Sequence, residues 1–104
     1  MTESIIKEKI LLKLNSEKVG VRKRIIKKIP LKHDVEIIKK LILIIQIDEK
    51  ESVRKEAYNL LAKIPINDKE IQAQIIKILE SSSINEPKEH MRLIAAKALQ
   101  KRKK

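Results

Sequence analysis

Residues 53–61 read Val53-Arg54-Lys55-Glu56-Ala57-Tyr58-Asn59-Leu60-Leu61. Val53, Ala57 and Leu61 are spaced i, i+4, i+8, which sets them on one face of a helix. The pattern recurs at Val21-Arg22, with Ile25 and Ile29, and at Met91-Arg92, with Ala95 and Leu99. In each copy an apolar residue is followed directly by arginine. Ser16, Asp48 and Glu86 stand five positions ahead of the three copies as candidate helix caps, and the copies are 32 and 38 residues apart.

Another apolar helix precedes each copy. Ile6, Ile10, Leu11 and Leu14 share their spacing with Ile37, Leu41, Ile42 and Ile45, and with Ile71, Ile75, Ile76 and Leu79. Six helices are therefore predicted, in three matched pairs. Asp34 is the expected N-cap of the third. Asp48 with Glu51, and Asn67 with Glu70, mark the starts of the fourth and fifth by the capping-box spacing. Pro30 and Pro65 end the second and fourth, each after Lys-Ile. Ser81-Ser82-Ser83 reads as a loop, and Pro87 suits the first turn of the sixth helix. A repeat of this period means stacked supersecondary units, and three is about the minimum for a stable stack.

These residues carry a resemblance. The chain resembles HEAT repeats, in the short form also found in phycobilisome-lyase-like HEAT proteins. The resemblance implies an all-α fold, an α-solenoid of three HEAT-like helical hairpins with six antiparallel helices. The expected domain is 1–100, with units near 1–30, 31–65 and 66–100, and 101–104 a basic C-terminal tail. It further implies that the second helices line a concave face, and that Arg22, Arg54 and Arg92 form a structural ladder with acids of neighbouring units. Met91 in place of Val and Ile25 in place of Ala depart from the family pattern.

Composition narrows the function. The chain has 104 residues with 25 Lys+Arg against 14 Asp+Glu, a net charge of +11. With 42% apolar residues it can build one core. Cysteine, Phe and Trp are absent, and Tyr58 is the lone aromatic. Disulfides and thiolate chemistry are thereby excluded. The longest apolar run, residues 41–45, falls far short of the roughly 18 needed to span a bilayer. No apolar stretch follows a basic N-terminal segment, so no signal peptide is expected and the cytoplasm is the default location. The Lys/Glu/Ile bias suits a thermophilic source, and equally an AT-rich genome.

The charge is uneven. Residues 1–33 hold ten Lys/Arg and three acids, residues 34–80 eight and nine, and residues 81–104 seven and two. Lys23 with Lys27, and Arg24 with Lys28, form i, i+4 pairs turned away from Val21, Ile25 and Ile29. Lys55, Lys63, Lys97 and Lys101 take comparable sides of the later second helices. Lys101-Arg102-Lys103-Lys104 closes the chain. A rack of such cations is an electrostatic footprint for phosphate. The plain alternative is a solvated face, and for the last four residues a frayed end. Tyr58 aligns with Ile26 and Ala96 and is expected in the core rather than as a base-stacking platform.

The expected function is thus a non-catalytic binding module for RNA or DNA phosphate backbone, within a ribonucleoprotein or ribosome-associated complex. Its candidate contacts are Lys23, Arg24, Lys27, Lys28, Lys55, Lys97, Lys101, Arg102, Lys103 and Lys104. A protein–protein scaffold for an acidic partner is the alternative. A DNA-repair glycosylase on HEAT repeats is remote, because those enzymes use aromatic side chains that this chain lacks. No enzyme motif, cofactor or metal is expected: there is no Gly-rich phosphate loop and no nucleophile motif, and His33 and His90 have no ligand set. Asp48, Glu49 and Glu51 suit a helix dipole. Anionic membrane is disfavoured for want of aromatic anchors. Leu43, Ile38, Ile44 and Ile47 lie off the stripe of the third helix, which predicts either a contact surface or a tighter core. Leu93 raises the same question on the sixth helix.

Overall fold

The computed structural model describes residues 3–31 and 34–103, with side chains from Ile6 onward. Among the described residues it is all-α. The six helices are α1 (Glu3–Leu14), α2 (Val19–Lys28), α3 (Val35–Ile47), α4 (Glu51–Lys63), α5 (Lys69–Asn85) and α6 (Glu89–Lys103).

Local chemistry explains the boundaries. Asp34 is the N-cap of α3 and accepts the Glu36 N–H at 2.8 Å. The cap of α5 is Asp68, one residue beyond Asn67, and its carboxylate takes the N–H groups of Glu70 and Ile71. Asp48 is not the N-cap of α4; Lys50 is. Asp48 lies two residues earlier and accepts the Lys50 N–H at 2.9 Å, just as Ser16 accepts the Lys18 N–H at 3.1 Å ahead of α2. Both are side-chain turns that set up the helix start. Each proline follows a C-cap residue with extended ψ: Ile29 at 124°, Ile64 at 125° and Glu86 at 133°. That is the conformation a following proline imposes. Pro87 therefore stops α5 rather than opening α6.

Helix extents change as well. Ser81, Ser82 and Ser83 lie within α5, not in a loop. Ser83 Oγ donates to the Glu80 carbonyl at 2.7 Å, a back-bond that a helix interior tolerates. Likewise α6 runs through Lys103, so Lys101, Arg102 and Lys103 are helical rather than a tail. Lys104 and His33 lie outside the described residues.

The aliphatic stripes meet in one core. Leu14, Ile26, Leu41, Val53, Leu61, Ile64, Ile75, Leu79 and Met91 are fully or almost fully buried. Ile6, expected on the stripe of α1, is instead exposed. Of the off-stripe residues of α3, Ile38 and Ile44 are buried, whereas Leu43 and Ile47 are exposed. The odd helices pack in order, α1 on α3 and α3 on α5; the even ones likewise, α2 on α4 and α4 on α6. Each odd helix also packs on the even helix that follows it. The molecule measures 41 × 31 × 17 Å. Its thinnest dimension fits two layers of helices with axes about 8–10 Å apart.

Candidate nucleic-acid interface

The sequence of α2 contains Arg22, Lys23, Arg24, Lys27 and Lys28 and no acid. Burial of Ile25, Ile26 and Ile29 fixes the rotation of the helix. Arg24, Lys27 and Lys28 are then exposed and Lys23 is half-buried. Arg22 is tied to Asp48, which leaves Lys23, Arg24, Lys27 and Lys28 to repel one another along the helix, so the helix gains by an anion laid across it.

The later even helices carry further cations. Lys55, Lys63, Lys97 and Lys101 are all exposed. By repeat position Lys23 corresponds to Lys55, Lys27 to Asn59 and Lys97, and Lys63 to Lys101. Glu51, Glu56 and Glu89 are the acids of these helices, and the Glu56 carboxylate lies 3.6 Å from Lys27 Nζ. Lys103 lies 3.9 Å from Glu80. Lys23, Arg24, Lys28, Lys55, Lys97 and Lys101 make no ion pair among the described residues.

Arg102 is placed differently from the expected solvated tail. Its Nη1 donates to the carbonyls of Leu61, at 3.2 Å, and Ile64. Nε and Nη2 donate to Gln72 Oε1, at 3.1 and 2.5 Å. Arg102 thus satisfies carbonyls at the end of α4, where a cation also complements the helix dipole. Burial pulls its pKa down from the usual arginine value, although the group stays charged. Its guanidinium is occupied and leaves the set of free cations. Residue spacing gives no hint of this, because the carbonyls it meets are 38 and 41 residues away.

The three repeated arginines are held alike through Nη1, and only Arg22 and Arg54 also fork to a carboxylate among the described residues. Arg22 Nη1 donates to the Ser16 carbonyl, Arg54 Nη1 to that of Asp48 and Arg92 Nη1 to that of Glu86, at 2.7–2.8 Å. Arg22 Nε and Nη2 reach the Asp48 carboxylate at 2.8 and 3.2 Å. Arg54 makes the same fork to Glu86, both bonds at 2.8 Å. Tyr58 is fully buried, as its alignment predicts, and its hydroxyl donates to Glu86. Burial, and then the bond to Glu86, push the Tyr58 pKa well above its usual value. Burial alone would raise Glu86, but the bonds from Arg54 and Tyr58 and the Arg54 charge outweigh it and hold the carboxyl below the usual range.

A 420 Å³ cleft lies over this second rung, lined by Gln46, Ile47, Asp48, Arg54, Tyr58 and Glu86 among others. Its buried polar side-chain atoms all have partners. An apolar groove of 510 Å³ lies between the α2–α3 and α4–α5 connections, lined by Val35, Ile38, Pro65, Ile66 and Ile71. Glu51 binds Lys88 at 2.8 Å and His90 at 3.3 Å across α4 and α6. Among the described residues no group of three or more His, Asp or Glu could hold a metal ion, and no helix is long and apolar enough to cross a membrane.

Comparison with protein-family models, curated proteins and solved structures finds no match.

Proposed function

We propose that this chain is a non-catalytic binding module for the phosphate backbone of RNA or DNA, built as a HEAT-like α-solenoid of three helical hairpins. The observation that carries the reading is the acid-free helix α2, whose Lys23, Arg24 and Lys28 make no ion pair among the described residues, together with the equally unpaired Lys55, Lys97 and Lys101 on the later even helices. Cations that make no ion pair among the described residues are available to displace counterions from phosphate. The one aromatic is buried and offers no surface on which a base could stack, so the reading rests on charge and shape.

The solenoid reading is supported by the ordered packing of odd on odd and even on even helices. It is supported too by arginine forks of one register at Arg22 and Arg54. The test is charge reversal. The variant Lys23→Glu with Lys27→Glu lowers affinity for structured RNA and duplex DNA at least tenfold while keeping the wild-type helix content, its melting temperature falling only slightly because Lys27 gives up its pair with Glu56. Unchanged affinity contradicts the proposal and leaves the acidic-protein scaffold as the better reading.

A further inference from the structure

We propose that the Nε–Nη2 edge of Arg92 is a docking half-site for a carboxylate on a helical segment of another, acidic protein chain. The inference rests on the stacked-unit reading and not on phosphate binding.

The first two rungs define the half-site. In each, Nη1 of the arginine is tied to a carbonyl six residues earlier, and Nε and Nη2 grip the acid that lies ahead of the second helix of the next unit. Arg92 has the first part, with Nη1 bonded to the Glu86 and Pro87 carbonyls at 2.8 and 3.0 Å. It lacks the second: no carboxylate lies within ion-pair distance among the described residues. The guanidinium is therefore pre-oriented for bidentate carboxylate binding and unoccupied by one.

The surroundings agree. On α4 the neighbours of Arg54 are Tyr58, Leu61 and Ala62, all buried. Their equivalents beside Arg92 are Ala96 and Leu99, half-buried, and Gln100, exposed. Ile78 of α5, equivalent to buried Ile44, is also half-buried. The α6 edge thus presents apolar surface around a free guanidinium, the side on which one more unit would stack.

Charge selects the occupant. A second copy would bring Ser16 to the place of Asp48 and Glu86, and a serine has no carboxylate. It would also press a basic end, residues 1–33, against another, residues 81–104. Self-stacking is therefore disfavoured. The fitting partner carries an Asp or Glu in the turn ahead of a helix, with aliphatic residues beside it.

The test supplies the missing acid on a chain that cannot polymerise. Ser16→Asp keeps the local turn, since Asp48 makes the same bond to Lys50 N–H that Ser16 makes to Lys18 N–H. The probe combines Ser16→Asp and Arg92→Ala with Lys9→Glu, Lys13→Glu and Lys18→Glu, exposed positions whose reversal, together with Ser16→Asp, takes residues 1–33 from a net charge of +7 to zero, so that the two ends no longer repel. It is used at 0.15 M salt, where screening acts within about 8 Å. Wild type binds this probe at least tenfold more tightly than Arg92→Ala does. Arg92→Lys, which keeps the charge but loses the fork, falls between. Equal binding by all three chains, or none by wild type, overturns the proposal. So does a loss of RNA affinity in Arg92→Ala, which would assign the edge to phosphate instead.

Discussion

Arg54 on α4 and Glu86 ahead of α6 form a two-bond fork, Nε and Nη2 each 2.8 Å from a carboxylate oxygen, across 32 residues of chain. Both side chains are largely buried, at 13% and 5% exposure. Breaking such a pair strands the surviving charge, which costs about 3–5 kcal/mol. A domain of this size has roughly 5–15 kcal/mol in total. Glu86→Ala is therefore expected to lower the denaturant midpoint severely, and more than Asp48→Ala, because Tyr58 loses its acceptor as well. Glu36→Ala, which breaks an exposed pair with Lys7, should leave the midpoint close to that of wild type. Chemical denaturation of the three variants checks the order.

Acid should weaken the same rung. The folded Glu86 carboxyl titrates below its unfolded value. Its contribution is thus complete above the unfolded pKa, about 4.3, and is lost as pH falls through the folded one. The melting temperature should hold steady above about pH 5 and drop below it. The gap between wild type and Glu86→Gln should narrow over the same range. A gap that is independent of pH would contradict the role given to the ionised carboxylate.

Alkali probes Tyr58. As the chain's one aromatic it gives an unobstructed phenolate signal. Its folded pKa is raised, so the folded state is favoured below the unfolded value of about 10 and loses ground above it. Absorbance at 295 nm should stay flat at pH 10.5 in the native protein and be well developed in denaturant at that pH. A native titration near 10 would mean that Tyr58 is solvated.

Arg102 separates structure from binding. It holds carbonyls at the end of α4 and the side chain of Gln72. Bonds from a charged donor contribute about 1.5–3 kcal/mol each. Arg102→Ala should lower the melting temperature clearly and leave RNA affinity within about twofold of wild type. Lys101→Ala should do the reverse, since Lys101 is exposed and makes no ion pair among the described residues.

What the sequence made legible follows local rules. The 3.6-residue periodicity located all six helices and most buried positions, and the repeated Val/Met-Arg pair marked Arg22, Arg54 and Arg92. Position five ahead of each pair also singled out Asp48 and Glu86, although as caps and not as fork acceptors. What was hidden depends on distant packing. Ser81–Ser83 look like a loop by composition, yet Ser82 is buried in α5 and tertiary contact overrides the weak helix preference of serine. Burial of Ile38 and Ile44 reflects the central place of α3, which packs on α1, α4 and α5. Exposure of Ile6 reflects the edge place of α1. Arg102 looks like any residue of a basic end until α4 and α6 are seen side by side.

The central claim is that cations on the even helices replace counterions on phosphate, and a salt titration tests it most directly. Binding to structured RNA, duplex DNA and single strands would be measured from 50 to 300 mM salt. If Lys23, Arg24, Lys27, Lys28, Lys55 and Lys97 all contact phosphate, log K on duplex DNA falls against log salt with a slope of about −5. Lys23→Glu with Lys27→Glu should flatten that slope by about 2. Binding that is weak at 150 mM, alike for all three nucleic acids and unaltered by the two substitutions, would contradict the account and identify these lysines as a solvated face.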